Sequence, residues 1–173
     1  MSRGIFVGRF NPFHKGHLKA IMKILKEVGE LIIVVGSSEK DYEVENPFTT
    51  GERIMMIRAA LDEADVEASR YFIIPVPDIH SHKTWVMHII AYVPPFDVVY
   101  SNNVIVTEPF KDMGFAVKPV LLFERELFSA TEVRKRMLED GNWEELVPGA
   151  IAEYIKRIKG VERIHRLSET DRV

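Results

Sequence analysis

Cysteine is absent from the 173-residue sequence, which excludes disulfides, cysteine-ligated zinc and a cysteine nucleophile. Neither sign of charge dominates: 23 basic residues face 26 acidic ones, whereas a general nucleic-acid binder is usually strongly basic. No apolar run approaches the roughly 18 residues that span a bilayer, and the N-terminus lacks the apolar core of a signal peptide. These absences predict a cytoplasmic protein that binds neither membranes nor nucleic acid.

Apolar runs alternate with amphipathic stretches along the chain. The runs predict strands at 5–7, 31–35, 71–76, 97–100 and 116–122, the last at a sheet edge because Pro119 cannot donate to a ladder. Helical spacing and closing glycines predict helices at 15–28, 53–61, 84–92, 130–138 and 150–158. Capping boxes are expected before two of them, formed by Thr49 with Glu52 and by Ser129 with Glu132. This alternation predicts an α/β fold with a parallel sheet. We expect a single domain over 1–173, with C-terminal helices from about 130 and a polar tail, 161–173, that frays.

The segment after the first strand carries residues that favour phosphate binding. Gly8 and Gly16 permit close backbone approach, and free N–H groups at the start of the next helix attract anions. Side-chain donors are frequent here: Arg9, His14, Lys15 and His17. The two histidines are three residues apart, so both can face one side of the first helical turn. An imidazole pKa of about 6.5 would let each donate a charged hydrogen bond at modest cost.

Other interpretations of the histidine pair remain open from the residues alone. The spacing can be incidental, and two histidines can ligate zinc if His80, His82 or His88 supplies a third ligand. A zinc hydrolase is disfavoured because the sequence contains no helical His-Glu-x-x-His pattern. A P-loop nucleotide hydrolase is disfavoured because the Gly-x-x-x-x-Gly-Lys-Ser/Thr loop is missing.

Two motifs give the sequence a specific resemblance. The run Phe13-His14-Lys15-Gly16-His17 resembles the His-x-Gly-His signature of the nucleotidyltransferase superfamily. The run Ser129-Ala130-Thr131-Glu132-Val133-Arg134 resembles its Ser-x-Thr-x-x-Arg signature, and each motif opens a predicted helix. Further runs at 8–13, 46–53, 94–97 and 160–163 resemble the archaeal-type nicotinamide-nucleotide adenylyltransferases over nearly the whole chain. The resemblance implies a Rossmann-like parallel sheet with helices on both faces.

The activity that the resemblance implies is transfer of the adenylyl group of ATP to nicotinamide mononucleotide (NMN), giving NAD and pyrophosphate. The NMN phosphate attacks the α-phosphorus in line, so no covalent intermediate is required. Mg²⁺ would accompany ATP and bridge its phosphates, and no metal-binding residues are assigned in the chain. The alternatives are another phosphate acceptor such as phosphopantetheine, use of CTP, and a non-catalytic nucleotide-binding regulator. The family also implies a homo-oligomer, with a hexamer as its expected form.

By the same resemblance, the two signatures bind the phosphates of ATP. The predicted catalytic residues are His14, His17 and Arg134, with His17 assigned to the α-phosphate. The predicted ATP-binding residues are Gly8, Arg9, Phe10, Lys15, Gly16, Ser129 and Thr131. The alternatives are that Ser129 and Thr131 only cap a helix, that Arg134 lies on a solvated helix face, and that Lys15 is an ordinary surface lysine.

The predicted NMN-binding residues are Asp78, Trp85 and Asn103. An aromatic face suits the cationic nicotinamide ring, which favours Trp85, although a core position is the alternative. Asp78 could bond the carboxamide or ribose, or cap the next segment, and Asn103 could bond the NMN phosphate or its own backbone. Two positions depart from the family pattern: Glu45 stands where some members carry Arg, and Asn102 stands where the family often has Gly.

Overall fold

The computed structural model describes residues 2–79, 81, 84–120 and 128–170. A five-stranded parallel sheet has the order β3-β2-β1-β4-β5. Its strands are β1 (Arg3–Gly8), β2 (Glu30–Val35), β3 (Tyr71–Pro75), β4 (Val98–Tyr100) and β5 (Ala116–Lys118). The order reverses between β1 and β4, which makes their carboxyl ends the topological switch point, where such sheets bind ligands. The predicted α/β class with a parallel sheet is confirmed.

Helices account for most of the remaining described residues. They are α1 (Lys15–Ile24), α2 (Thr50–Glu63), α3 (Trp85–Tyr92), α4 (Val104–Asp112), α5 (Ala130–Leu138), α6 (Gly149–Arg157) and α7 (Gly160–Thr170). Within the described part of the chain, no helix combines the length and apolar character needed to cross a membrane.

The chain forms two compact units. Unit 1 comprises Met1–Arg9, Ala20–Ser38 and Glu67–Leu121, and it holds the sheet. Unit 2 comprises Phe10–Lys19, Glu39–Val66 and Leu122–Val173, and it holds both signature motifs.

The core of unit 1 lies between the sheet and helices α3 and α4. All five residues of β2 after Glu30 are buried, because a central parallel strand is covered on both faces. One face of the sheet packs against buried side chains of α3 and α4, in a cluster formed by Ile5, Ile32, Val34, Val76, Val86, Ile89, Val99, Val106 and Phe110. This core fixes the strand ends that carry Gly8 and the loop after β4.

Unit 2 is a helical assembly of α2, α5, α6 and α7 with residues 10–19. Its apolar interior includes Phe48, Ile57, Val133, Ile155 and Ile164, which are all fully buried. Helix α2 packs against α6, and α7 packs against α5 and α6. Gly160 begins α7 at a close approach, since a Cβ there would lie 2.8 Å from Phe48 Cε1.

An ion pair ties α7 to the start of α2. Arg163 donates to both carboxylate oxygens of Glu52, at 2.6 and 2.7 Å, and to the Pro47 carbonyl at 3.1 Å. Glu52 also accepts from the Thr49 backbone amide and so closes the predicted capping box of α2. Burial alone would raise the pKa of Glu52, but hydrogen bonds from Arg163 and from that amide hold the pKa below its ordinary value.

Several local predictions differ from the structure. Residues 161–170, expected to fray as part of the tail 161–173, lie in α7, and the nine residues of α4 had no predicted helix. Arg53, at the start of the helix predicted at 53–61, is fully buried, although a charged side chain on an amphipathic helix is usually exposed, and it donates to Thr50 Oγ1. The expected capping box of α5 is half present: Ser129 Oγ accepts from the Glu132 amide, while the Glu132 carboxylate accepts from Arg136.

Candidate active site

The histidines of the first signature form a stacked pair at the start of α1. Their ring centroids lie 3.5 Å apart, with 26° between the planes. The His17 backbone N–H donates to His14 Nδ1 at 3.4 Å, and the His14 backbone N–H donates to His17 Nδ1 at 3.3 Å. A ring nitrogen that accepts a hydrogen bond carries no proton, so each neutral ring bears its proton on Nε2. The site therefore presents two Nε2–H donors of fixed tautomer.

Both imidazoles are neutral near pH 7 in the unliganded protein. Burial lowers the pKa of His14 to about 4, and burial together with the nearby His14 lowers the pKa of His17 well below its ordinary value. This corrects the expectation of charged donors with an ordinary pKa. A polyanion would stabilise the charged forms, so their charge depends on the ligand.

Gly16 leaves room for the His14 ring in this packing. An added Cβ would lie 3.0 Å from His14 Cε1, His14 Nδ1 and Phe128 Cβ. The predicted role of Gly16 was close backbone approach to phosphate. The structure gives it a further role, because only a residue without a Cβ leaves the His14 ring in its place without displacing a neighbour.

Two phenylalanines pack against the His17 ring. The Phe10 and Phe13 centroids lie 4.8 and 5.3 Å from that of His17, and both side chains are buried. Phe10 has a φ of 51°, in the left-handed region, where the chain turns after Arg9. The Phe10 side chain, predicted to bind ATP, therefore contacts the His17 ring and is itself only 1% exposed.

Through Arg134, the second signature contacts the loop that immediately precedes the first signature. Arg134 is 9% exposed, which excludes a solvated helix face. Arg134 Nη1 donates to the carbonyl of Asn11 at 2.8 Å, and Nη2 contacts Thr131 Oγ1 at 3.4 Å. The two motifs, more than a hundred residues apart in sequence, thus converge within unit 2.

Helix α5 contributes its N-terminus to this cluster. Ser129 is the N-cap, and its hydroxyl accepts from the Glu132 amide at 3.1 Å. The predicted capping role of Ser129 is therefore observed, and it orders the first turn, whose free N–H groups attract anions. Lys15 opens α1, and the neighbouring Lys19 lies over the Phe128 ring, 4.8 Å from its centroid.

The remaining predicted residues lie in unit 1, around the carboxyl ends of its strands. Gly8 ends β1, and its carbonyl accepts from Gly36 at 2.9 Å; Arg9 follows it. Asp78 is exposed beyond β3, and its carboxylate accepts from the Ser37 hydroxyl at 2.8 Å. That bond holds Asp78 against the loop that follows β2.

Trp85 and Asn103 occupy helix starts in unit 1. Trp85 begins α3 and packs edge-on against Phe110, with 5.7 Å between centroids. It is partly buried, so one part serves the core while another meets solvent. Asn103 is the N-cap of α4 and accepts from the Ile105 amide at 3.1 Å. Their proposed contacts with NMN stay predictions.

The two departures from the family pattern have different surroundings. Glu45 is exposed in the loop before α2. Asn102 bonds both backbone groups of Val120, accepting from its N–H at 2.9 Å and donating to its carbonyl. Asn102 thus ties the end of β4 to the segment after β5.

Two polar residues of these loops were missed from the sequence. Asn11 is 1% exposed and hydrogen-bonded to Phe48, while Ser37 is 6% exposed and bonded to Asp78. Both partners are distant in sequence, so local pattern gives no signal for the pairing. The one available hint was position, since each follows a strand end near a glycine.

Metal binding by the chain itself finds little support in these residues. The described part of the chain contains no group of three or more His, Cys, Asp or Glu side chains suited to hold an ion. The His14 and His17 Nε2 atoms carry protons, so each would need a tautomer change to ligate zinc. Of the other suggested zinc ligands, His88 Nε2 donates to the Pro77 carbonyl at 2.9 Å, and His80 and His82 lie outside the described residues.

Comparisons with known proteins agree with the motifs. The cytidylyltransferase-like family matches residues 5–136. The nicotinamide-nucleotide adenylyltransferase of Pyrococcus furiosus is 47% identical over 169 residues, covering 97% of this chain and 90% of that protein. The enzyme of that name from Archaeoglobus fulgidus is 44% identical over 172 residues, covering 98% of this chain and 99% of that protein.

Solved structures share the fold. A bifunctional NMN adenylyltransferase/ADP ribose pyrophosphatase from Francisella tularensis has a TM-score of 0.79 at 20% identity. The match covers 98% of this chain and 53% of that one, so this chain spans about half the length of the bifunctional protein. A second structure of it, complexed with AMP and a manganese ion, has a TM-score of 0.77 at 21% identity. Motifs, fold and full-length relatives together show that this chain belongs to the nicotinamide-nucleotide adenylyltransferases of the cytidylyltransferase-like family.

Proposed function

We propose that this chain transfers the adenylyl group of ATP to NMN, yielding NAD and pyrophosphate. The observation that carries the proposal lies in unit 2, where the loop that leads to the stacked His14–His17 pair also binds Arg134 through the Asn11 carbonyl. The activity named for the full-length relatives supports the same reaction.

In this reaction the substrate supplies the nucleophile, and the protein binds the reactants and stabilises the developing charge. An oxygen of the NMN phosphate forms a bond to the α-phosphorus, the bond to the bridging β-phosphate oxygen breaks, and pyrophosphate leaves with that electron pair. The NMN phosphate is already ionised at neutral pH, so the reaction needs no general base. Donors that face the charge developing on the phosphates lower the barrier.

The Nε2–H donors of His14 and His17 suit this role. Their tautomer is fixed before ATP arrives, so no reorganisation is needed during the reaction. The triphosphate raises their pKa values from the lowered ones of the free site, which strengthens both hydrogen bonds as they become charge-assisted. We assign His17 to the α-phosphate.

The positive end of α5 and Arg134 complete the proposed phosphate site. A planar guanidinium can engage two oxygens at once, and the first-turn N–H groups after Ser129 hold the β- and γ-phosphates. Gly8, Arg9, Phe10, Lys15, Gly16 and Thr131 complete the proposed ATP-binding set. Asp78, Trp85 and Asn103 form the proposed NMN subsite.

Magnesium belongs to the proposal as part of the substrate Mg-ATP. The related bifunctional protein was solved with AMP and a manganese ion, which supports use of a divalent ion. Because no metal cluster occurs among the described residues, we assign the ion to phosphate oxygens and water and derive no step from a protein ligand.

The direct test is to mix the protein with Mg-ATP and NMN and to measure NAD and pyrophosphate. His17→Ala should lower kcat by about 100-fold or more, because one donor to the developing charge is lost. His165→Ala, which removes an imidazole from α7, is the matched control and should retain activity. Turnover with phosphopantetheine or with CTP, but none with ATP and NMN, would overturn the substrates. ATP binding without any turnover would favour a nucleotide-binding regulator.

We also propose a homo-oligomer, with a hexamer as its expected form, and a cytoplasmic location. The family resemblance supports the first. Sedimentation equilibrium tests the oligomeric state, and the mass of a single chain at micromolar concentration would contradict the proposal.

A further inference from the structure

Asn11 is one of the least exposed polar residues of the protein. It lies in the loop between β1 and α1 and is 1% exposed. Both polar atoms of its amide bond the backbone of Phe48: Nδ2 donates to the carbonyl at 3.3 Å, and Oδ1 accepts from the N–H at 3.1 Å. The side chain therefore imitates one rung of a strand ladder and clamps its loop to residue 48.

The main chain of Asn11 has a different partner. Its carbonyl accepts from Arg134 Nη1 at 2.8 Å. Arg134 Nη2 contacts Thr131 Oγ1 at 3.4 Å, so the guanidinium plane is set from two directions. One contact comes from its own helix, and the other comes from the loop that leads to His14.

Phe48 is itself a firm anchor. Its side chain is fully buried, and it immediately precedes Thr49, the N-cap of α2. The capping box of Thr49 with Glu52 is held from α7 by Arg163. The Asn11 carbonyl that accepts from Arg134 is thus connected, through the Asn11 side chain, to the buried start of α2.

The geometry points to Asn11 as a positioning residue that orients Arg134 for the triphosphate by fixing the carbonyl to which the guanidinium binds. Asn11 contacts no substrate in this scheme, because its side-chain amide is buried and hydrogen-bonded to the backbone of Phe48. The inference rests on the proposed role of Arg134 and extends it. It also explains why a buried loop beside the histidines carries an amide where an apolar side chain would fill the same space.

Asn11→Ala removes the clamp while leaving every donor of the two signatures in place. A guanidinium displaced by about 1 Å should lower kcat roughly 10- to 100-fold, while the KM for NMN stays within about twofold. Asn11→Ser is the milder variant, intermediate in kcat, and it keeps the test available if the alanine variant folds poorly. Melting temperature is recorded for each protein.

A double-mutant cycle separates positioning from a general structural role. If Asn11 acts through Arg134, Asn11→Ala should change kcat by less than about threefold in an Arg134→Lys or Arg134→Ala background. Asn102→Ala is the matched control, because Asn102 makes the same pair of bonds to the backbone of Val120. The fold-change in kcat caused by Asn102→Ala should be the same in the wild-type and Arg134→Lys backgrounds. If the fold-change caused by Asn11→Ala is also the same in both backgrounds, the inference is overturned.

A second readout does not need turnover. In NMR spectra the Arg134 side-chain Nε–H signal, assigned by its loss in Arg134→Lys, should shift or broaden in Asn11→Ala and stay in place in Asn102→Ala. An unmoved signal in Asn11→Ala would overturn the inference. Wild-type protein that makes no NAD would instead refute the proposed function, and the NMR result would still decide whether Asn11 orients Arg134.

Discussion

Burial of the His14 imidazole should make stability depend on pH, and a single substitution at His14 removes this contribution. His14 is 6% exposed, and its pKa is lowered from 6.5 to about 4 by burial. Between these pH values the unfolded chain binds a proton that the folded protein rejects. The free energy of unfolding must therefore fall as the pH drops through this window.

The magnitude follows from the size of the shift. Each pKa unit is about 1.4 kcal/mol, so a shift from 6.5 to about 4 corresponds to about 3 kcal/mol of stability, present at pH 7 and lost near pH 4. The slope from this one group is at most about 1.4 kcal/mol per pH unit. In a protein of ordinary stability, a loss of this size is a large fraction of the total.

His14→Gln keeps a neutral polar side chain and cannot take up the proton. Urea unfolding of the wild type and of His14→Gln, followed by tryptophan fluorescence at pH 7, 6, 5 and 4.5, gives the two dependences. Subtracting them cancels the carboxylates, which titrate in both proteins. We expect the wild type to lose about 2 to 3 kcal/mol more than the variant over this range. Parallel curves would refute the claim that the His14 ring rejects its proton.

Three further substitutions test other contacts. Gly16→Ala gains up to about 1 kcal/mol of helix propensity but displaces the His14 imidazole. The free energy of unfolding should therefore stay close to that of the wild type while kcat falls about 10-fold, and an unchanged kcat would contradict the packing argument. Ser37→Ala removes one hydrogen bond to the Asp78 carboxylate and should raise the KM for NMN about fivefold without changing the KM for ATP. A parallel rise in both KM values would refute this expectation. Arg163→Ala should lower the free energy of unfolding by about 2 kcal/mol in urea titrations, whereas the exposed Arg166→Ala should stay within about 0.5 kcal/mol, and equal effects would count against the ion pair.

The sheet was predictable because its central strands are buried on both faces and read as short apolar runs. Helix α4 was not, because it opens with β-branched residues at 104–106 and contains Pro109. Helix α7 is mainly polar, and its buried residues are few, Gly160 and Ile164 among them. It is held by a carboxylate 111 positions away, which no local pattern can reveal.

Some features of the candidate site can likewise be predicted from the sequence, and others cannot. The signatures predict His14, His17 and Arg134 as catalytic residues, because residue type and spacing carry that chemistry, and this assignment stays a prediction. Neither the tautomers nor the lowered pKa values could be predicted, since both come from how the rings are buried. Asn11 and Ser37 were missed because their roles lie in bonds to residues that are distant in sequence.

The link between Arg163 and Glu52 also bears on how the protein matures. The imidazoles leave the ribosome early, but the anchor of α2 is complete only after the last helix has been synthesised. A nascent chain that ends before residue 163 holds the phosphate-binding loop without its final support. The ability to bind a triphosphate should therefore arise only after the C-terminal helix has been translated. The growing polypeptide would then not bind nucleotide at an incomplete site.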